Sequence, residues 1–379
     1  MKKYVVFIIS MAIISATIAG CTRPSPEEQE QVSDMIDEPL SYMLRVVPAT
    51  VDMIMFSDIP VLSASEGQSI PSRQASLEER VAWWTSFQRH LLAVYSAPAI
   101  DELWGFRAAD IQGILNWPPL QTTVLGGMLD TTAFREKMKS YGYNEESYLD
   151  YIVVSGTPQP TGELTEQIAA MMPRAFGVID GMEVEGETVN LIIMSAQSAN
   201  DPLQAKTNIE AILKAHHDKT SLAYRNGGIT DLANSVGKVG SAFITTRSDL
   251  EATWERMDTT QKDNLKTAIG PGELDPYNEF AITYRREGDG RLFEFIMAYD
   301  SAADAEANTE TIRTRLAEAH STIYGPLSDL WTVQDVVAEG RYLSAAVELI
   351  PQESGKPFYL TGMIYAPDYW FLLPGVANE

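Results

Sequence analysis

The spacing of apolar positions changes along the chain from a period of two to a period near four. Phe280, Ile282 and Tyr284 alternate with other residues, which is typical of a β-strand. A glycine turn and a second apolar run follow, so this stretch predicts a β-hairpin. Further on, Ile312 and Leu316 recur at helical spacing. The pattern therefore predicts a hairpin followed by an amphipathic helix.

The same pattern occurs a second time in the chain. Residues 176–216 align without a gap on residues 280–320, and the alignment matches Phe176 with Phe280 and His216 with His320. Upstream, residues 123–138 pair with residues 242–257, where each copy reads as a strand that runs into a capped helix. We therefore expect a tandem duplication of a β-α-β-β-α unit, with an insertion of about fifteen residues from Gly142 in the first copy.

Three further segments lie outside the two copies. Residues 43–60 predict one or two strands, and residues 331–373 predict antiparallel strands with a turn at Gly340. Residues 76–95 predict a helix, in which Ser76 and Glu79 form a capping box and Leu77, Val81, Trp84, Leu91 and Val94 share one face. Hairpins combined with helices predict the α+β class, with mostly antiparallel sheets and helices packed on one face.

The first residues have the layout of a secretory signal. Lys2 and Lys3 precede an apolar run over residues 5–18, and small residues then lead to the chain's one cysteine, Cys21. A transmembrane anchor is the alternative, but the run is at or below the ~17 residues that a spanning helix needs. The stretch Ile18, Ala19, Gly20 and Cys21 resembles the lipobox of bacterial lipoproteins. That resemblance implies cleavage before Cys21 and a lipid on its thiol, so it predicts a lipid-anchored protein on the extracytoplasmic face of the bacterial membrane.

The predicted domain organisation follows from this start. Residues 1–20 form the signal peptide, and residues 21–40 are an acidic tether that is too poor in apolar residues to order itself; a short helix over residues 27–37 is the competing interpretation. Residues 41–217 form a first α+β half with the extra helix and the insertion, and residues 218–379 form the second half. Two or three acyl chains on Cys21 would anchor such a body stably, whereas one would hold only marginally.

Composition narrows the classes of partner. The chain has 52 acidic and 28 basic residues and a net charge of −24, and it has no basic stripe, so we do not expect it to bind nucleic acid. A cationic ligand or partner is compatible with this charge. With the single cysteine lipidated, thiol-based zinc sites and thiol nucleophiles are excluded. We expect no cofactor and no metal site.

Candidate catalytic groups are few. His216 and His320 match in the alignment, but each ends a predicted helix, where a cationic side chain complements the helix dipole. Ser235 and Lys238 fit the S-x-x-K pattern of serine acyl enzymes without its companion motifs. Nucleotide, dinucleotide, hydrolase-elbow and zincin motifs do not occur. The acidic clusters at residues 145–150 and 300–310 lack the spacing of a calcium loop.

The insertion offers the most plausible ligand site. Its tyrosines, flanked by charge, predict a stacking surface for a glycan or another ligand; they are Tyr141, Tyr143, Tyr148 and Tyr151. Three functional classes remain. The first is a non-catalytic lipoprotein that binds a ligand, a glycan or an envelope protein, with its site at the insertion and in a groove between the copies. The second is a structural subunit of a membrane-bound assembly, and the third is a carboxylate-dependent hydrolase acting on glycan. We expect the first, and not an enzyme.

Overall fold

A computed structural model describes most of the chain from residue 39 onwards, which includes Pro39 and Leu40, the last two residues of the predicted tether. The described residues are 39–72, 74–88, 91, 103–117, 122–161, 164–184, 186–195, 201–225, 227–246, 248–288, 290–350, 360–365 and 368–376. They belong to one compact unit. The predicted signal peptide and Cys21 lie outside the described residues. Among those that are described, no helix has both the length and the apolar character needed to cross a bilayer.

Twelve strands form one antiparallel sheet in the order β13-β14-β10-β9-β8-β1-β2-β3-β7-β6-β5-β4, and β11 and β12 form a separate short ribbon. The strands are β1 Met53–Asp58, β2 Ile111–Trp117, β3 Thr122–Gly127, β4 Asn144–Tyr148, β5 Tyr151–Ser155, β6 Ala175–Val184, β7 Glu187–Ser195, β8 Ser241–Thr246, β9 Glu279–Glu287, β10 Gly290–Ala298, β11 His320–Ser321, β12 Gly325–Pro326, β13 Trp331–Glu339 and β14 Tyr342–Leu349.

The α-helices of the described residues connect these strands. They are α1 Pro39–Met43, α2 Ile59–Ser65, α3 Leu77–Phe87, α4 Thr131–Ser140, α5 Glu166–Met171, α6 Pro202–His217, α7 Ile229–Val236, α8 Ser248–Glu255, α9 Thr259–Ile269, α10 Ala302–Ala307, α11 Thr309–Glu318 and α12 Leu360–Tyr365. Side-chain caps fix several of their starts, as where Asp201 accepts hydrogen bonds from the backbone N–H groups of Leu203 and Gln204.

The core has two parts because the strands bury side chains on both faces of the sheet. In β1, Met55 belongs to one apolar cluster, and its neighbours Ile54 and Phe56 belong to the other. Helices α3, α4, α9 and α11 pack in the first cluster, whereas α1, α6 and α7 pack in the second. The predicted α+β class with antiparallel sheets is confirmed. The expectation that the helices pack on one face is wrong. Successive residues of a central strand point to opposite faces of the sheet, and the residues on both faces are apolar.

The tandem duplication is not confirmed as a structural repeat. Both segments contain a strand, a helix, a hairpin and a further helix, but β3 pairs with the second strand of its hairpin, β7, whereas β8 pairs with the first strand of its hairpin, β9. The helices that follow the hairpins, α6 and α11, lie on opposite faces of the sheet. Strands β1 and β2 separate the two segments, so the segments do not face each other across a groove.

The two predicted halves of the body share this sheet. Strand β1 lies between β8 and β2, and its Met53 pairs with Thr245 while its Met55 pairs with Asn116. The boundary predicted between residues 217 and 218 lies at the end of α6, and strands from both sides of it belong to one hydrogen-bonded sheet. The insertion after Gly142 adds the hairpin of β4 and β5 at the far edge of that sheet.

Two segments differ from their predicted form. Helix α3 has the expected capping box between Ser76 and Glu79, but Leu77 is 41% exposed although it belongs to the predicted apolar face. Of the C-terminal strands, the hairpin of β13 and β14 turns at Gly340 as predicted. The strands predicted after it are wrong, because residues 360–365 are helical and the segment Trp370–Leu372 is a 3-10 turn.

The C-terminal segment is held in place by a buried arginine. Arg315 of α11 is fully buried, and its guanidinium donates hydrogen bonds to the backbone carbonyls of Gly272, Phe371 and Leu373, with two further bonds to Pro271 and Val376. Burial lowers the pKa of Arg315 to about 10, so the group remains charged at neutral pH. One side chain thus connects α11 to two loops.

Candidate functional site

The predicted tyrosine surface does not form. Tyr141 and Tyr143 are 1% and 3% exposed, and both belong to the first apolar cluster. Tyr148 and Tyr151 are half-buried against the second cluster and form a cross-strand pair. Residues 143 and 148 are five positions apart along a nearly extended strand, which directs their side chains to opposite faces. The four rings therefore cannot offer one platform to a ligand.

The two buried tyrosines are part of the core. The Tyr143 hydroxyl donates a hydrogen bond of 2.5 Å to the backbone carbonyl of Pro173, and its ring lies edge-on to Phe176 with 5.5 Å between centroids. Burial raises the pKa of the Tyr143 hydroxyl, so this group stays protonated as a donor. Its role in the structure is to attach the start of the inserted hairpin to the loop before β6.

The acidic residues of the insertion are occupied by ion pairs. Glu145 lies 2.9 Å from the ammonium of Lys139, and Glu146 lies 2.5 Å from that of Lys206. Asp150 lies 3.7 Å from an imidazole nitrogen of His217. Within the described part of the chain, no cluster of three or more His, Cys, Asp or Glu side chains could hold a metal ion.

The aligned histidines lie apart. His216 is in the last turn of α6, and its Nδ1 lies 3.0 Å from the backbone carbonyl oxygen of Arg45. Burial is the main reason that the pKa of His216 is lowered. His320 is exposed in β11, directly after α11. Because α6 and α11 pack against opposite faces of the sheet, the two imidazoles do not form a pair.

A different site lies where the C-terminal ends of β1 and β9 meet the N-terminal ends of β8 and β10. The strands are tied together here, since the Asp58 N–H donates to the Gly240 carbonyl and the Gly240 N–H donates to the Tyr284 carbonyl, each at 2.9 Å. Helix α2 leaves β1 at once, because Asp58 caps its N-terminus by accepting from the Val61 N–H at 2.9 Å. Pro60 follows at a position that suits the first turn of a helix.

We call the hollow at these strand ends the strand-end cleft. It has a volume of about 660 Å³, which is in the range of small-molecule sites. Its lining comes from α2 and the residues just after it, from Lys238 two residues after α7, and from the end of β9 with the following turn: Val61, Ala64, Ser65, Gly67, Lys238, Arg285, Arg286, Glu287 and Gly288.

The charged side chains of the strand-end cleft are mostly cationic. Arg285 lies 3.1 Å from Glu287 and 3.5 Å from Glu294, so carboxylates offset its charge. Arg286 is held differently: its Nε donates to the Gly288 carbonyl at 3.0 Å, and a terminal nitrogen donates to the Ser65 carbonyl. These two bonds connect the end of α2 to the turn between β9 and β10.

Beside the cleft is a chamber of about 30 Å³ that shares Lys238 with it. This volume holds about one water molecule, so the chamber is too small for a ligand. Asp58 lines it and is 4% exposed. Burial raises the pKa of Asp58 to about 7, against the opposing effects of the Val61 N–H and of the charge on Lys238.

On its other side the strand-end cleft meets a hollow of about 380 Å³ on the face of β9, β10, β13 and β14, which shares Arg285 and Glu287 with it. The carboxylates here are bonded to neighbouring side chains. Ser344 donates to Glu294, and Gln334 donates to Glu348 at 2.9 Å. The polar side chains on this face of the sheet therefore form hydrogen bonds with one another.

The S-x-x-K pattern does not form a nucleophilic pair. The hydroxyl of Ser235 donates to the backbone carbonyl of Leu232 at 2.7 Å within α7. Lys238 follows after Gly237 and lines both the chamber and the strand-end cleft, whereas Ser235 lines neither. Sequence reasoning singled out Lys238, but it did not identify Asp58, Arg285 or Arg286 as its neighbours.

Comparisons with known proteins do not identify a family for this chain. No family model and no curated protein matches the chain. Among solved structures, crystal form I of TP0453 has a TM-score of 0.34 and 9% identity, over 81% of this chain and 92% of that one. Crystal form IV has a TM-score of 0.33 and 10% identity, over 84% and 95%. These TM-scores are too low to establish a common fold.

Proposed function

We propose that this chain is a lipid-anchored binding protein on the extracytoplasmic face of a bacterial membrane, without catalytic activity. The anchor rests on the lipobox-like stretch that ends at Cys21. Lipid on this residue would keep the body at the membrane, since two or more acyl chains bind a bilayer stably. The large negative charge would hold the body away from anionic headgroups.

The strand-end cleft is the observation that carries the binding role. It has the volume of a small-molecule site, it opens widely to solvent, and its walls are main-chain segments fixed by the sheet and by α2. Binding sites on rigid elements hold their geometry better than sites on free loops. A ligand of a few hundred daltons, or one residue of a glycan or of an envelope protein, fits this volume.

The placement of the carboxyl groups favours binding over hydrolysis. Burial raises the pKa values of Asp58 and Glu279, the kind of perturbation expected of a catalytic acid. However, Glu279 pairs with Thr246 at one end of β8, while Asp58 bonds to Gly240 at the other end. A glycan-acting hydrolase needs two carboxyl groups within about 10 Å of each other, and these two are separated by most of the length of β8.

The anchor is tested by replacing the proposed lipid acceptor. Wild-type protein and the Cys21→Ser variant are expressed in a bacterial host, and membranes are separated from the aqueous fraction. We expect wild-type protein in the membranes, with an N-terminal peptide heavier by the mass of a diacylglyceryl group, and the variant without that mass. A wild-type N-terminal peptide with unmodified Cys21 would refute the anchor.

The binding role is tested by filling the strand-end cleft. Ala64 lies in the cleft wall and is exposed, so the Ala64→Trp variant places an indole there. Ala303, exposed on α10, provides the matched control Ala303→Trp. Each full-length protein is extracted from membranes in mild detergent and examined by native mass spectrometry.

We expect a small molecule at fixed stoichiometry on wild-type protein and on Ala303→Trp, and its loss from Ala64→Trp. Retention of the molecule by folded Ala64→Trp would place the site elsewhere. If a protein co-purifies instead of a small molecule, and neither tryptophan variant releases it, the result would favour the alternative in which the chain is a structural subunit of an assembly.

A further inference from the structure

The described helices leave part of one sheet face uncovered. On the face of the second apolar cluster, α1, α6 and α7 pack over the strands from β5 across to β9. The helices of the described residues that pack on β13 and β14 are α10 and α11, and their buried side chains belong to the first cluster. The hollow of about 380 Å³ on β9, β10, β13 and β14 lies on this uncovered part, and we call it the outer-strand hollow.

The outer-strand hollow combines apolar and acidic side chains. Leu292, Val337 and Ala346 give it apolar surface, and Val337 is 47% exposed. Each of the four strands also contributes one carboxylate: Glu287, Glu294, Asp335 and Glu348. An exposed valine among carboxylates, on a sheet face that no described helix covers, is typical of a surface that contacts a partner of opposite charge.

The charges of the outer-strand hollow do not cancel within the described lining. Arg285 is its one cation, and this guanidinium faces all four carboxylates of the hollow, so the lining keeps a balance of −3. The other donors are neutral. Ser344 donates to Glu294, Gln334 donates to Glu348, and the Val336 N–H donates to Asp335 at 2.9 Å. These bonds hold the carboxylates in place without changing their charge.

Glu348 keeps one carboxylate oxygen available. Gln334 donates to Oε2 of Glu348 at 2.9 Å, and within the described part of the chain no hydrogen bond reaches Oε1. A Cβ atom at Gly290 would lie 2.8 Å from that Oε1, so the glycine leaves room for the carboxylate. An oriented carboxylate with a free oxygen can accept a charge-assisted hydrogen bond from a cation.

A lysine side chain matches this combination of surfaces. Its aliphatic stem can cover apolar residues while its ammonium, which has three donors, bonds to a carboxylate. The outer-strand hollow crosses four strands, about 14 Å at the usual strand spacing, and it is an open sheet face. A small amine would stay largely in water there, whereas a polypeptide segment can reach several carboxylates at once.

From this geometry we propose that the outer-strand hollow docks a lysine-bearing segment of a partner protein. Glu348 and Asp335 bind ammonium groups, and Val337 and Leu292 contact the aliphatic stems. The complementary charge makes association faster and more specific. This interaction surface is additional to the ligand site proposed in the strand-end cleft and does not require a ligand there.

The test uses full-length protein in a non-ionic detergent, titrated calorimetrically at low salt with a short capped peptide in which lysine and alanine alternate. Glu348→Gln removes one charge from the hollow, and Glu306→Gln, at an exposed position of α10, is its matched control. Val337→Lys places a cation in the hollow. Ile323→Lys is the control, because Ile323 is equally exposed at 47% and lies between β11 and β12.

We expect one site on wild-type protein, an affinity about two- to fivefold weaker in Glu348→Gln and at least about tenfold weaker in Val337→Lys, and no change in either control. The same peptide with acetylated lysines keeps the stems but not the charge, and it should not bind. Absence of binding by the lysine peptide, or equal weakening in a variant and its control, would overturn the proposal.

Two further titrations identify the kind of ligand and the place where it binds. If spermidine bound as tightly as the peptide and lost affinity in Val337→Lys, the hollow would take a free amine, and the protein partner would be refuted. Ala64→Trp, which fills the strand-end cleft, should leave the peptide affinity unchanged. A weakened affinity in that variant would place the peptide in the cleft and refute docking in the outer-strand hollow. A cleft without a ligand would leave the peptide result unaffected, so the two proposals can fail separately.

Discussion

The buried carboxyl group of Asp58 should make the stability of the protein depend on pH in a defined direction. Burial raises the pKa of Asp58 from 3.8 to about 7 in the folded protein. The folded state then binds the proton more tightly than the unfolded state. Stability from this group is fully present below about pH 4 and is lost as the pH rises to about 7, beyond which it changes no further. A difference of about three pKa units corresponds to roughly 4 kcal/mol.

The Asp58→Asn variant removes this titration but keeps the helix cap, because the amide oxygen can still accept from the Val61 N–H. The free energy of unfolding is measured by urea titration at several pH values between 4 and 8. We expect the variant to gain roughly 4 kcal/mol relative to wild type on going from the lowest to the highest pH.

Asp130→Asn is the matched control. Asp130 is also an N-cap and accepts from the Ala133 N–H at 2.9 Å, but it is exposed, so this variant accounts for exchanging a capping carboxylate for an amide. If wild type and Asp58→Asn lost stability in parallel across the whole pH range, the assignment of a buried proton to Asp58 would be refuted.

Three further substitutions test packing and capping elsewhere in the fold. Arg315→Met leaves five backbone carbonyls without their donor and should cost at least about 3 kcal/mol in urea unfolding, whereas the exposed Arg313→Met should cost about 0.5 kcal/mol; equal losses would contradict the role of Arg315. Ser76→Ala removes the α3 capping box and should cost about 1 kcal/mol, so an unchanged melting temperature would contradict it. Tyr143→Phe leaves the Pro173 carbonyl without its donor and should cost about 1–2 kcal/mol without weakening ligand binding; weakened binding would return the ligand site to the insertion.

Local signals in the sequence predicted the local parts of the fold. Ser76 is recognisable as a helix start because a cap acts on residues two or three positions away. The hairpin of β9 and β10 followed from alternation around a glycine turn. In contrast, Leu77 is 41% exposed although the spacing assigns it to the apolar face of α3, since periodicity does not say how far a partner surface extends.

The strand-end cleft could not be predicted, because its parts meet only through the pairing of distant strands. The segment with Ala64, the residue Lys238 and the turn at Gly288 are separated by long stretches of chain. Their proximity depends on β1 pairing with β8 and on β8 pairing with β9. The burial of Asp58 is a consequence of the same pairings, and nothing in its neighbouring residues reveals it.

The position of β1 in the middle of the sheet has a consequence for how the chain folds as it emerges. β1 comes first in the sequence, but one of its two neighbours, β8, is formed from residues 241–246. Until that segment has been synthesised, one edge of β1 has no partner, and an open strand edge of this kind invites pairing with other chains. Non-local pairing is also slow to form. We therefore expect a chain that ends before β8 to aggregate, and the late segments of the protein to complete its earliest strand.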